Sequence, residues 1–141
     1  MGVTIESKNK SIDLGYNGFN KLRTKIAELA SEDIGDHYKK LMTVPYSLAE
    51  RKAFFKEYNE KIEKLSIKYD RKLDVILDFI YASDCGGKIS PEECRQILEI
   101  IKDYNDDVIY GYRGKNNNVK FNDFKEILKD CVETKCHMEW L

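Results

Sequence analysis

Two prolines, two histidines and one tryptophan are all that 141 residues hold of those types. With so little proline, few positions forbid helix, and with two histidines no nucleophile–base pair can be assigned from spacing. The chain has no apolar run near the roughly 18 residues of a membrane span. Its start lacks a signal peptide's apolar core, so neither export nor a membrane partner is expected. Strong charge of one sign is missing too. The 24 Lys and Arg balance 25 Asp and Glu, a formal charge of −1, which argues against bulk nucleic-acid binding. Neither GxGxxG nor GxxxxGK[ST] occurs, so no known phosphate-cradling loop is present, and there is no internal repeat. Met1-Gly2 suggests myristoylation, but the sixth residue is Glu6 where Ser or Thr is needed.

What is present is enough for a core. Some 42% of the residues are hydrophobic and 11% aromatic, which sets the chain apart from disordered sequences despite its 35% charge. The four cysteines (Cys85, Cys94, Cys131, Cys136) read as reduced thiols of a cytoplasmic protein. Abundant Lys, Ile, Asn and Tyr suggest an AT-rich bacterial or phage genome.

Alternation in Val3-Thr4-Ile5 and Ile12-Asp13-Leu14 about Lys8-Asn9-Lys10 predicts a β-hairpin. Gly15 and Gly18 follow, either as a turn needing positive φ or as an anion-cradling helix start, with the turn favoured. Phe19, Leu22, Ile26 and Leu29 then mark a helix, which can continue through Ile34, Tyr38 and Leu41 with a kink or stop at Gly35. Ser47 and Glu50 form a capping box before a long helix with Phe55, Tyr58, Ile62, Leu65 and Tyr69 on its core face. The Lys- and Glu-rich remainder of that helix reads as a solvated face. Leu73 to Tyr81 reads as a buried central helix, with a strand as the alternative. Ser90-Pro91-Glu92-Glu93 is the sharpest start signal, combining an N-cap, proline at the first helical position and a capping box. That helix shows Cys94, Ile97, Leu98, Ile101 and Tyr104 on one face, and a last one from Asn122 shows Phe124, Ile127, Leu128 and Cys131. The fold expected is α+β and mainly helical, a single domain with an N-terminal β-hairpin packed on about five helices. In sequence order it divides into a hairpin (1–15), a helical half (16–83) and a helix–loop–helix half (84–141).

Four features invite a chemical reading. Cys85, Cys94 and Cys136-His137 lack the close ligand pairs of a zinc site, and Cys94 and Cys131 fit core packing. Segments 82–93 and 112–123 have the outline of calcium-binding EF-hand loops, but Ala82, Gly86, Tyr112 and Gly114 stand where side-chain oxygens are needed. They are expected to be metal-free scaffold. Asp103, Asp106 and Asp107 follow a helix end, where the macrodipole favours cations. They are weak metal-ligand candidates, with Asp106 as a turn cap being the plainer alternative. Finally, Tyr110, Tyr112, Arg113, Lys115 and Asn116 form an aromatic, glycine-flanked, basic loop suited to a partner or ligand.

Val3-Thr4-Ile5-Glu6-Ser7-Lys8, Asp13-Leu14-Gly15-Tyr16-Asn17-Gly18-Phe19, Ser83-Asp84-Cys85-Gly86-Gly87 and Phe124-Lys125-Glu126-Ile127-Leu128-Lys129-Asp130-Cys131 together resemble a family of small uncharacterised proteins of Firmicute bacteria and their prophages. The resemblance covers nearly the whole chain and implies no activity, cofactor or catalytic residue. It implies an accessory role, such as helping a phage deal with its host. The function expected is therefore non-catalytic binding of a host or phage macromolecule, with a protein partner favoured and self-association allowed. The alternative is a small-nucleotide binder or a metal-dependent enzyme acting on nucleotides, with the three aspartates on the metal and Arg113 and Lys115 on phosphate.

Overall fold

The computed structural model describes residues 2–111 and 118–141. The chain is α+β and mainly helical, and its N-terminal residues form the hairpin the alternation predicts. Contacts divide it into two compact units: Met1–Arg23 with Tyr81–Leu141, and Thr24–Ile80.

The first unit is built on a four-stranded antiparallel sheet of order β2-β1-β4-β3. Strand β1 (Gly2–Glu6) pairs with β2 (Ser11–Gly15) around a turn closed by Ser7 N–H donating to Lys10 O at 2.9 Å. Two strands the sequence did not announce complete the sheet, β3 (Gly87–Ile89) and β4 (Met138–Trp140). Each has three residues, too few for a period of two to stand out. In β4 the alternation is nonetheless clean, with Met138 and Trp140 buried and Glu139 exposed.

Trp140 holds this unit together. Its indole N–H donates to Ser83 O at 2.9 Å, and its ring lies 6.2 Å from that of Phe19. The ring covers Gly87 so closely that a Cβ there would overlap it, so β3 pairs here only as glycine. Arg23 is buried with its guanidinium 4.0 Å from the Phe19 ring centroid and 2.9 Å from Asp84. Helix α5 (Pro91–Ile101) starts as predicted, with Ser90 and Glu93 forming both bonds of the box. It packs Cys94, Ile97 and Ile101 into the core. Helix α6 (Phe121–Thr134) adds Phe121, Phe124, Ile127, Leu128 and Cys131. Both buried cysteines are free thiols, and the hydrogen bond to Cys131, then burial, pushes Cys94 up and keeps it protonated.

The second unit takes the C-terminal part of helix α1 (Tyr16–Ala30), then α2 (Glu32–Lys39), a 3-10 turn (Lys40–Thr43), α3 (Leu48–Lys68) and most of α4 (Asp74–Tyr81). The expected kink at Gly35 lies instead at Ser31, whose hydroxyl accepts from the N–H groups of Asp33 and Ile34 and starts a new helix. Gly35 is internal to α2, packed on Glu28 where a Cβ would not fit. Ser47 caps α3 by accepting the Glu50 N–H at 3.2 Å. The apolar run from Leu73 is helical from Asp74 and buries Val75, Ile76, Leu77, Phe79 and Ile80.

His37 is a buried histidine of this unit. Its ring stacks on Tyr58 at 3.8 Å, and Nε2–H donates to the Tyr58 carbonyl at 3.1 Å. Burial lowers it from its ordinary value of 6.5 to about 4, so it is neutral near pH 7.

Trp140→Ala removes the ring that covers Gly87 and Phe19, and should cost about 3–5 kcal/mol in urea unfolding. A loss below ~1 kcal/mol would show that the sheet does not depend on it. Stability should also depend on pH through His37. The unfolded state takes up a proton near 6.5 and the folded state only near 4, so stability is full above 6.5 and falls down to about 4. The slope is at most about 1.4 kcal/mol per pH unit. Denaturation midpoints across that range should show the slope, and His37→Gln should flatten it.

Candidate functional site

The sequence points to the segment after α5, and the described part of that segment is built around Asp106. Its Oδ1 accepts the Val108 N–H at 3.1 Å, while Oδ2 accepts the hydroxyls of Tyr104 (2.6 Å) and Tyr110 (2.9 Å). Asp106 is thus the turn cap, with both oxygens committed to local donors. Asp107 points into solvent, 3.8 Å from Lys120 Nζ, and Asp103 is exposed. The three aspartates do not converge, and among the described residues no group of three or more His, Cys, Asp or Glu side chains is placed to hold a metal ion. Of the three weak metal-ligand candidates, Asp106 is engaged by hydrogen bonds, while Asp103 and Asp107 are exposed.

Tyr110 also differs from expectation. It is 2% exposed, its ring 6.2 Å from Phe121, so it is a core anchor and offers no face for stacking on a partner. Its N–H donates to Val119 O at 2.8 Å, and the next residue, Gly111, bridges to Leu14. Tyr112, Arg113, Lys115 and Asn116 lie outside the described residues, as does much of the EF-hand-like segment 112–123. In the other such segment, residues 87–89 form β3 and pair with β4, so the stretch serves the sheet.

Gly18 is explained by this anchor. It lies inside α1 and has no positive φ; the expectation of a left-handed turn fails there. A Cβ at Gly18 would collide with the Tyr110 carbonyl, so glycine lets the loop backbone lie directly on the helix.

Acidic residues at the end of α5 looked costly because the macrodipole favours a cation there. The cation comes from α6. Lys125 is buried, with its ammonium donating to Tyr104 O at 2.6 Å and Lys102 O at 3.4 Å. Sequence reasoning missed it because a lysine on a mixed helix reads as solvated. It meets carbonyls left free past the helix end, while Asp103 and Asp107 face water.

Two further surfaces were not foreseen as sites. His37, Phe54 and Tyr58 line a cavity of about 360 Å³ with Lys40, Glu57, Glu60, Lys61 and Lys64. Cys136 and His137 line an open one of about 440 Å³ with Glu6, Ser7, Lys8, Lys135 and Glu139. The Cys136 thiol is hydrogen-bonded to Thr134 O at 3.4 Å.

Comparison with family models, curated proteins and solved structures finds no match to this chain.

Lys125→Met keeps the apolar stem and strips the ammonium, leaving the Tyr104 and Lys102 carbonyls without this donor. It should cost about 2 kcal/mol and free the 102–110 backbone, seen as faster amide exchange at Val108. Unchanged exchange would show that Asp106 alone holds the turn.

Proposed function

We propose that the protein acts by binding, without catalysis of its own, and engages a macromolecular partner through the segment from Asp103 to Asn118. The observation that carries this is the pair Val108–Ile109. Both are substantially exposed (46% and 42%), between solvent-facing Asp107 and the buried anchor Tyr110. Large aliphatic side chains are held outward on a backbone already ordered by Asp106, Lys125 and Gly18. Ordering that backbone costs the complex little, and apolar side chains so placed lose water only when a partner covers them. The neighbouring carboxylates select a surface with an apolar patch edged by Lys or Arg. Tyr112, Arg113, Lys115 and Asn116 follow directly in the chain and extend the contact.

The setting is the cytoplasm, where the four thiols stay reduced. The likeness to proteins of Firmicutes and their prophages makes a host or phage protein the first partner to test.

The test is affinity capture from Firmicute lysate on the immobilised chain, beside a Val108→Asp, Ile109→Asp variant of equal melting temperature. A protein kept by the parent and lost by the variant supports the reading. Capture of nothing, or equal capture by both, overturns it. Gel filtration of the purified chain shows whether a second copy takes the partner's place.

A further inference from the structure

From residue 39 to residue 57 not one residue is buried, although the stretch includes Leu41, Met42, Val44, Tyr46, Leu48, Phe54 and Phe55. Met42 is 78% exposed, Leu48 75%, and Tyr46 fully so. Monomer surfaces scatter such side chains singly, and grouping three within seven residues marks a contact surface.

Charge decides what that surface meets. The chain is near neutral, yet this stretch has five cations (Lys39, Lys40, Arg51, Lys52, Lys56) against Glu50 and Glu57. Lys39 is occupied by Glu28 at 3.2 Å. Arg51, Lys52 and Lys56 lie on α3, and Lys40 opens the 3-10 turn before it. Leu48 and Phe55, seven residues apart, share a face, and Arg51 and Lys52, three and four residues from Leu48, flank it. Glu50 and Glu57 fall about half a turn round, away from that ridge. The Arg51 guanidinium lies 5.8 Å from the Phe55 ring centroid, so a cation accompanies the apolar ridge.

The geometry points to an anionic lipid surface as the occupant, with residues 39–57 lying in the headgroup plane. Leu48 and the half-buried Phe55 stand between cations, with carboxylates on the reverse side, so apolar and basic groups are presented together. Met42 and Tyr46 precede this pair and are exposed, and Tyr46 can place its ring among acyl chains and its hydroxyl among headgroups. The lysine stems reach past the ridge to the lipid phosphates. This contact needs no membrane span, so the absence of a long apolar run does not bear on it. It lies wholly within Thr24–Ile80 and is independent of the Asp103–Asn118 proposal.

The experiment is sedimentation of the full chain with vesicles of phosphatidylcholine alone or mixed with an equal part of phosphatidylglycerol. Binding should appear with the anionic vesicles and weaken at high salt. Each cation removed should lower the partition coefficient about fivefold, so Arg51→Gln with Lys52→Gln should lower it about 25-fold. These side chains are exposed, so the melting temperature should not move. Tyr46→Ser with Leu48→Ser should weaken binding at unchanged charge, and amides 42–57 should become protected from exchange only when anionic vesicles are present. No sedimentation, equal sedimentation with neutral vesicles, or no change in either variant overturns the proposal. Protection of these amides without lipid, or a dimer in sedimentation velocity that Leu48→Ser abolishes, also overturns it by showing that protein covers the face.

Discussion

The contact between the Trp140 ring and the bare backbone of Gly87 is the constraint on which the sheet depends. Strand β4 joins β1 to β3, and each pairing spans only two or three residues. Ladders so short are weak alone and hold only if side chains clamp them. The indole does this by filling the place of a β3 side chain, bonding to Ser83 and abutting Phe19. Any side chain at position 87 would push β3 away, and without the ring the hairpin and β3 lose their bridge.

Helix α6 complements that clamp with charge in place of apolar area. Lys125 fits the end of α5, and Asp130 accepts from the Ser7 hydroxyl (2.6 Å), the Asn9 N–H (2.8 Å) and the Asn9 amide (3.0 Å). These three donors hold the Asp130 carboxyl below its ordinary value. Each largely buried charge is met by neutral dipoles and needs no opposite charge, which suits groups that can be surrounded by hydrogen bonds. One helix thus fixes both the hairpin turn and the start of the segment proposed to bind. The Asp103 and Asp107 carboxylates near that segment stay exposed.

How much could be read in advance follows from the range of each interaction. Ser90-Pro91-Glu92-Glu93 encodes its helix start within four residues, and that start is found where expected. The hairpin is likewise set by local periodicity, whereas the run to Tyr81, apolar on more than one side, left helix and strand open and is helical from Asp74. The break at Ser31 was also local, yet it lay hidden under a continuous apolar stripe on both sides. Gly18, Lys125, Asp130 and His37 were illegible for a different reason. Each is explained by a partner far along the chain: Tyr110, the end of α5, the hairpin turn and Tyr58. In sequence a glycine in a helix looks like a weak spot, and a charge on a mixed helix looks like solvent contact. Tyr110 erred in the opposite direction, its aromatic character suggesting recognition where it supplies anchorage.

The arrangement of the two units along the chain has a consequence for the order of assembly during synthesis. Residues Thr24–Ile80 are contiguous, and their contacts with one another can all form once α4 has emerged. Strand β1 must wait, because Ile5 pairs with Trp140, separated from it by nearly the whole sequence. Closing so long a loop is slow, and it cannot begin before the last strand is made. A ribosome-bound chain therefore exposes β1 with one edge unpaired after every residue of the helical unit has been made. Glu6 at the end of β1, with Lys8 and Lys10 in the turn beside it, sets charge next to that waiting edge, which disfavours pairing with a neighbour.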